Sequence, residues 1–149
     1  MAQFIERSNI RLQQTADNWE DAIRQSGLLL LQNHSIDFEY INEMVKAVKT
    51  LGPYMVIVPH VALGHARPGK HVKKNDISLL TLKKPINFGS EHNDPVNVVF
   101  SFCAEGNEGH LQVLKKLGLL LDDAHIMQII QESSDLDQID RLVNEEMDK

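Results

Sequence analysis

Gly52-Pro53-Tyr54-Met55-Val56-Ile57-Val58-Pro59-His60 is the stretch on which the fold turns. Glycine followed by proline stops whatever helix precedes it. Tyr54 to Val58 is then short, apolar and rich in β-branched residues, which suits a buried strand better than a second helix. Pro59 takes the chain out of the sheet. Upstream, Tyr40, Ile41, Met44, Val45 and Val48 recur at helical spacing, so Phe38 to Thr50 reads as an amphipathic helix with Tyr40 and Met44 as packing residues.

Further out the same alternation continues. Asp17 to Leu31 reads as a helix interrupted near Gly27, with Thr15 or Asp17 as its cap, while the residues through Thr15 show no clear pattern. Asp76 to Leu82 and Pro95 to Ala104 supply two more strands, with turn-rich sequence at Lys83-Lys84-Pro85 and Gly89 to Pro95. Ile86 to Phe88 is a candidate edge strand. Leu111, Leu114, Leu117, Leu120 and Leu121 form a helical stripe that Asn107 is placed to cap, which puts His110 at the third helical position. Ala124 to Gln131 reads as a short helix. Ser134 to Met147 reads as a last one, with Ser134 as cap and Asp137 as its partner. Helices alternating with several strands predict one α/β domain over residues 1–149, a mixed central β-sheet flanked by helices.

Composition narrows the function classes. The apolar fraction of 42% and charged fraction of 24% are those of a globular chain. With 21 acidic against 15 basic side chains the net charge is -6, which disfavours unspecific binding to nucleic acid or an anionic membrane. The single cysteine, Cys103, lies in an apolar run and reads as a buried, inert thiol. It excludes an intrachain disulfide and a cysteine-rich metal site. No secretory signal or membrane-length apolar run is visible, so the expected location is cytoplasmic. Neither a Gly-x-x-x-x-Gly-Lys-Ser/Thr loop nor a Gly-x-Gly-x-x-Gly fingerprint occurs, so no nucleotide cofactor is expected and a phosphoryl source is sought in another phosphoprotein.

The chemistry-bearing residues gather between Pro59 and Lys74, which hold three of the seven histidines and read as an ordered loop at a strand end. His65 sits between Gly64 and Ala66, small neighbours that admit a reactant. An imidazole keeps one ring nitrogen unprotonated near neutrality and attacks phosphorus without a strong base. His110, at a helix start, lies where amide groups and the helix dipole favour an anion. Arg67 and Lys70 are candidate phosphate or partner contacts, as are His60 and Asn107. Read as single residues, His65 is equally a loop hydrogen-bonder and His110 a helix-start residue. His60, His65 and His110 would together supply enough ligands for zinc, but no carboxylate base accompanies them, and no metal is expected.

Val58-Pro59-His60-Val61-Ala62-Leu63-Gly64-His65-Ala66-Arg67-Pro68, Asn87 to Val96 and Asn107-Glu108-Gly109-His110-Leu111 resemble the enzyme IIA components of the mannitol/fructose type in the phosphoenolpyruvate-dependent sugar phosphotransferase system, especially the ascorbate-type branch. The likeness runs from about Asp17 to the final helix. It implies the enzyme IIA mannitol/fructose-type fold. It also implies that His65 accepts phosphate from the phosphohistidine of HPr and passes it to a cysteine of enzyme IIB, with membrane enzyme IIC served indirectly. His110 assists; attack runs through Nε2, with Nδ1 held by a local acceptor. Where this chain has His60 the family pattern generally has glycine, and where it has Gly64, proline. A glycine at 64 would loosen the loop, and the His60 imidazole would crowd or join the site. The other function such a domain suggests is regulation, a partner reading the phosphorylation state of His65.

Overall fold

The computed structural model describes residues 3–145. Its elements are β1 (Ile10–Gln14), α1 (Trp19–Gln32), α2 (Phe38–Leu51), β2 (Val56–Val58), β3 (Val61–Gly64), β4 (Asp76–Ile86), β5 (Val96–Cys103), α3 (Asn107–Leu121), α4 (Ala124–Glu132) and α5 (Leu136–Asn144). The five strands form one sheet in the order β1-β4-β5-β3-β2. β1 runs parallel to β4 and β3 parallel to β5, while β4–β5 and β2–β3 are antiparallel, so the sheet is mixed, as the alternation predicted.

Two strands escape the sequence reading. β1 is short and half exposed, with Arg11 and two glutamines obscuring any apolar run. β3 lies inside the stretch read as loop: its four residues are all buried, and the glycines, prolines and histidines around it mask the signal. β4, by contrast, runs through Lys83-Lys84-Pro85 to Ile86, so no separate edge strand exists at Ile86 to Phe88. Lys83, Lys84 and Pro85 lie between Thr81 and Ile86, where the β4–β5 register shifts, an irregularity of the kind that accommodates a proline within a strand.

The helix ends also differ. Asn18, not Thr15 or Asp17, caps α1, its side chain accepting the Asp21 N–H at 2.9 Å. α1 runs unbroken through Gly27, where a Cβ would lie 2.9 Å from Ile41 Cγ1 and Met44 Cε; the glycine lets α1 and α2 touch. Gly52, at φ 85°, ends α2. Gly106 rather than Asn107 occupies the cap of α3 and supplies no side chain, so His110 is the fourth helical residue. Asp135 caps α5 in place of Ser134, accepting from Gln138 N–H, and Met147 lies outside the described residues.

Helices cover both faces. α1 and α2 pack Ile23, Leu30, Tyr40, Ile41 and Met44 against Ala62, Leu80 and Val99. α3, α4 and α5 pack Leu117, Leu120, Ile130, Ile139 and Val143 against Val61, Leu63, Leu79, Phe100 and Phe102. Each fully buried side chain of this size contributes about 1.5–3 kcal/mol of transfer free energy. The two-residue period of a strand thus divides β3 and β5 cleanly: 61 and 63, 98, 100 and 102 face α3–α5, and the residues between face α1–α2. Among the described residues no helix is long and apolar enough to cross a membrane.

Candidate active site

The period that places Val61 and Leu63 beneath α3–α5 carries His65 to the same side. Gly64 pairs with Ser101, so the next residue on each strand, His65 and Phe102, come level at the parallel C-terminal ends. Their rings stack at 5.1 Å between centroids with 15° between planes. Three residues after β5, α3 begins at this same end of the sheet and delivers His110 from its first turns. The His65 and His110 rings lie 5.7 Å apart edge to face, and His110 also meets Phe102 at 5.0 Å. Tyr54 closes the other side, 6.0 Å from His65 and nearly perpendicular to it.

One hydrogen bond sets the chemical state of His65. Its Nδ1 lies 3.1 Å from the Leu63 carbonyl, which accepts only, so Nδ1 carries the proton and Nε2 keeps its lone pair. Burial pushes the His65 pKa below its ordinary value of 6.5; the Leu63 carbonyl opposes this and neighbouring His110 adds to it. The neutral imidazole is therefore the form held at pH 7. That is the protonation state a nitrogen nucleophile needs.

His65, Arg67, Asn107 and His110 share the walls of one cleft of about 980 Å³ between α2 and α3, with Glu43, Lys46, Ala47, Thr50, Leu51 and Tyr54. The His110 N–H is spent on the Gly106 carbonyl at 3.1 Å, so the free amides of the helix start are those of Asn107, Glu108 and Gly109, one position earlier than the sequence suggested. Lys70 is exposed on the turn beyond Pro68 and forms none of the cleft wall. His60 stands apart altogether. It occupies the β2–β3 turn at the opposite end of β3, five residues and about 16 Å from His65 along a strand rising roughly 3.3 Å per residue. Its φ is 73° and its Nδ1 meets the Pro95 carbonyl at 2.8 Å. The glycine usual at that position suits the left-handed backbone there, and the His60 ring neither crowds nor joins the site. His60, His65 and His110 thus do not converge on a metal position, and no cluster of three or more ligating side chains occurs among the described residues.

Several residues that shape the site were not singled out from sequence. From sequence, Tyr54 and Phe102 are strand residues and no more, although a two-residue count from Val98 places Phe102 at the strand end. Tyr40 was read as packing; its hydroxyl also accepts the Ala66 N–H at 2.9 Å and lies 2.9 Å from the Phe102 carbonyl. Asn75 accepts the Glu105 N–H at 2.8 Å and lies against Gly109, where a Cβ would be 2.7 Å from its Nδ2. Gly64 has a similar role, for a Cβ there would meet Ser101 Oγ at 2.6 Å. Its φ is not in the left-handed region, so closeness to Ser101, rather than loop freedom, explains the glycine. Cys103 is buried as expected, and burial pushes its thiol pKa up to about 12.

Residues 3–146 match the family model of the phosphoenolpyruvate-dependent sugar phosphotransferase system, EIIA 2. The chain belongs to that family. As an enzyme IIA chain it is a phosphotransferase component of that system. It is 36% identical over 139 residues to the ascorbate-specific PTS system EIIA component of Shigella boydii serotype 4 (strain Sb227), covering 93% of this chain and 83% of that protein. The component of the same name from Escherichia coli (strain K12) is 35% identical over the same share of each chain. Among solved structures, the mannitol-specific cryptic phosphotransferase enzyme IIA CmtB of Escherichia coli superposes with a TM-score of 0.85 at 26% identity, covering 94% of this chain and 95% of that one. The Escherichia coli complex of enzyme IIAMtl with phosphorylated enzyme IIBMtl gives 0.84 at 26%, covering 93% and 96%. The enzyme IIA fold and the mixed sheet read from sequence agree with these likenesses.

Proposed function

We propose that this enzyme IIA chain accepts a phosphoryl group on Nε2 of His65 from the phosphohistidine of HPr and passes it to a cysteine thiolate of enzyme IIB. The observation that carries the reading is the Leu63 carbonyl on Nδ1, which leaves Nε2 as the available nucleophile beside His110. In the first step the Nε2 lone pair bonds phosphorus as the donor's N–P bond breaks, and the donor ring recovers its electron pair. In the second, the thiolate bonds phosphorus and the His65 N–P bond breaks. Negative charge on the three transferring oxygens is met by His110, by the free amides of Asn107 to Gly109 and by the Arg67 guanidinium on the cleft wall. No strong base is needed, because Nε2 is already unprotonated.

The sugar served is ascorbate, taken up through membrane enzyme IIC in a cytoplasmic relay; the ascorbate-specific relatives support this choice. The sugar itself does not enter this domain. Incubation with enzyme I, HPr and phosphoenolpyruvate should place one acid-labile phosphate on His65, absent in His65→Ala and transferable to an ascorbate-type enzyme IIB. Stoichiometric label retained in His65→Ala would sink the site, and label that no enzyme IIB accepts would replace the relay with a regulatory role.

A further inference from the structure

We infer that Tyr40 is a positioning residue for transfer at His65, its buried hydroxyl fixing the first peptide after the acceptor to the strand that carries the acceptor's aromatic support. The inference rests on the functional reading of His65 above.

Past Gly64 the chain leaves the sheet, and the Ala66 N–H finds the phenol at 2.9 Å in place of a ladder partner. The hydroxyl has one proton to give. The Phe102 carbonyl at 2.9 Å takes it, with the Ala66 carbonyl, at 3.1 Å, as the longer alternative. One oxygen therefore joins both sides of the stack: the peptide next to His65 and the peptide of Phe102, on whose ring the imidazole lies. Tyr40 is 1% exposed, among the side chains of α1 and α2, so water does not replace the link if it is lost. Burial also raises the phenol's pKa, keeping it a donor throughout the working range.

The hydroxyl belongs to the cluster on the α1–α2 side, and its hydrogen bonds go to the Ala66 and Phe102 backbone rather than to the imidazole. It acts by holding the backbone. If Ala66 drifts, the His65 Cα drifts with it, the Nδ1–Leu63 bond lengthens and the ring no longer keeps one tautomer. A mere packing role predicts otherwise, because phenylalanine retains the buried ring.

The test is Tyr40→Phe, assayed for phosphoryl uptake from phosphorylated HPr, with His65 ring nitrogens followed by 15N NMR. A fall of about 10- to 100-fold in kcat with KM within twofold is expected, the range a small misplacement of reacting groups produces. The ring spectrum should change from the Nδ1–H tautomer to a mixture. A folded Tyr40→Phe protein with unchanged kcat and unchanged tautomer, whatever its melting temperature, overturns the inference. Should that variant fail to fold, amide exchange in the wild-type protein decides: strong protection of the Ala66 N–H supports the clamp and free exchange overturns it. Wild-type protein that takes up no phosphate at His65 overturns the functional reading and the inference with it; wild-type uptake matched by Tyr40→Phe overturns the inference alone.

Discussion

Replacing Gly64 by alanine puts a methyl group 2.6 Å from Ser101 Oγ and 3.2 Å from Ile23 Cδ1, well inside normal contact. Ser101 is completely buried, and its Oγ is hydrogen-bonded to Ser26 Oγ, which also donates to the Ile23 carbonyl. The serine therefore has two ways to yield. It can push β3 from β5, an overpacking strain of about 1–3 kcal/mol, or rotate away from Ser26 and leave its own buried hydroxyl unpaired at about 1–3 kcal/mol. Either way Gly64→Ala should cost about 2 kcal/mol. For a chain of 149 residues this lowers the melting temperature by about 4–8 °C. Ser101→Ala alone removes one hydrogen bond at about 1 kcal/mol but opens the space the methyl needs. The double variant should then be less destabilised than the sum of the two by at least about 1 kcal/mol, a coupling expected of groups in contact. Urea unfolding followed by circular dichroism measures all four proteins. Simple additivity, or a Gly64→Ala protein as stable as wild type, would refute the contact argument and restore a loop-flexibility role for the glycine.

Burial holds the native pKa of His65 below 6.5, so below that pH the unfolded chain binds more protons than the folded one. The stability His65 contributes is present above pH 6.5 and lost as the pH falls through its native pKa; His65→Gln should flatten that part of the stability curve, and an unchanged slope would contradict the shift. An NMR titration of the His65 ring should show the same depressed midpoint. Gly109→Ala drives a methyl into Asn75, which holds the approach to α3, and should slow transfer about 10-fold through misplacement of His110. Asn75→Gly in the same chain should recover part of the rate, and no recovery would detach Asn75 from the effect. His60→Gly should leave transfer within twofold of wild type, since the ring lies at the far end of β3; a larger loss in a rate assay would return His60 to the site.

The helices on either side of the sheet were legible because Tyr40, Ile41, Met44, Val45 and Val48, or Leu117 and Leu120, repeat at 3.6 residues and are buried as that period requires. β3 was not, because four buried residues flanked by Pro59, His60 and His65 carry too little periodicity to separate a strand from a loop. His65 and His110 were legible as residue types at a strand end and a helix start. Their meeting was not, since it depends on how β3 registers with β5. Tyr40 was hidden for a different reason: apolar periodicity accounts for its ring, and nothing in spacing announces what its hydroxyl will reach. His60 misled because nearness in sequence passes for nearness in space unless the intervening residues are recognised as extended.

Register is thus the quantity on which the site depends. A strand slipped by one residue turns every side chain to the other face. Such a slip of β3 would send His65 toward α1 and α2, away from Phe102 and from the α3 start, and leave two histidines without a common cleft. What opposes it is the apolar set itself: Val61 and Leu63 on one face and Ala62 on the other are all buried, and the slip would force the small and large positions to exchange. Gly64 adds a steric lock, because only a residue without Cβ fits opposite Ser101. The packing that stabilises the sheet and the geometry that aligns a nucleophilic nitrogen with an anion-binding helix start are accordingly set by the same few residues of β3. Substitutions there should change stability and transfer together, whereas those on the cleft walls, such as Arg67, should separate the two.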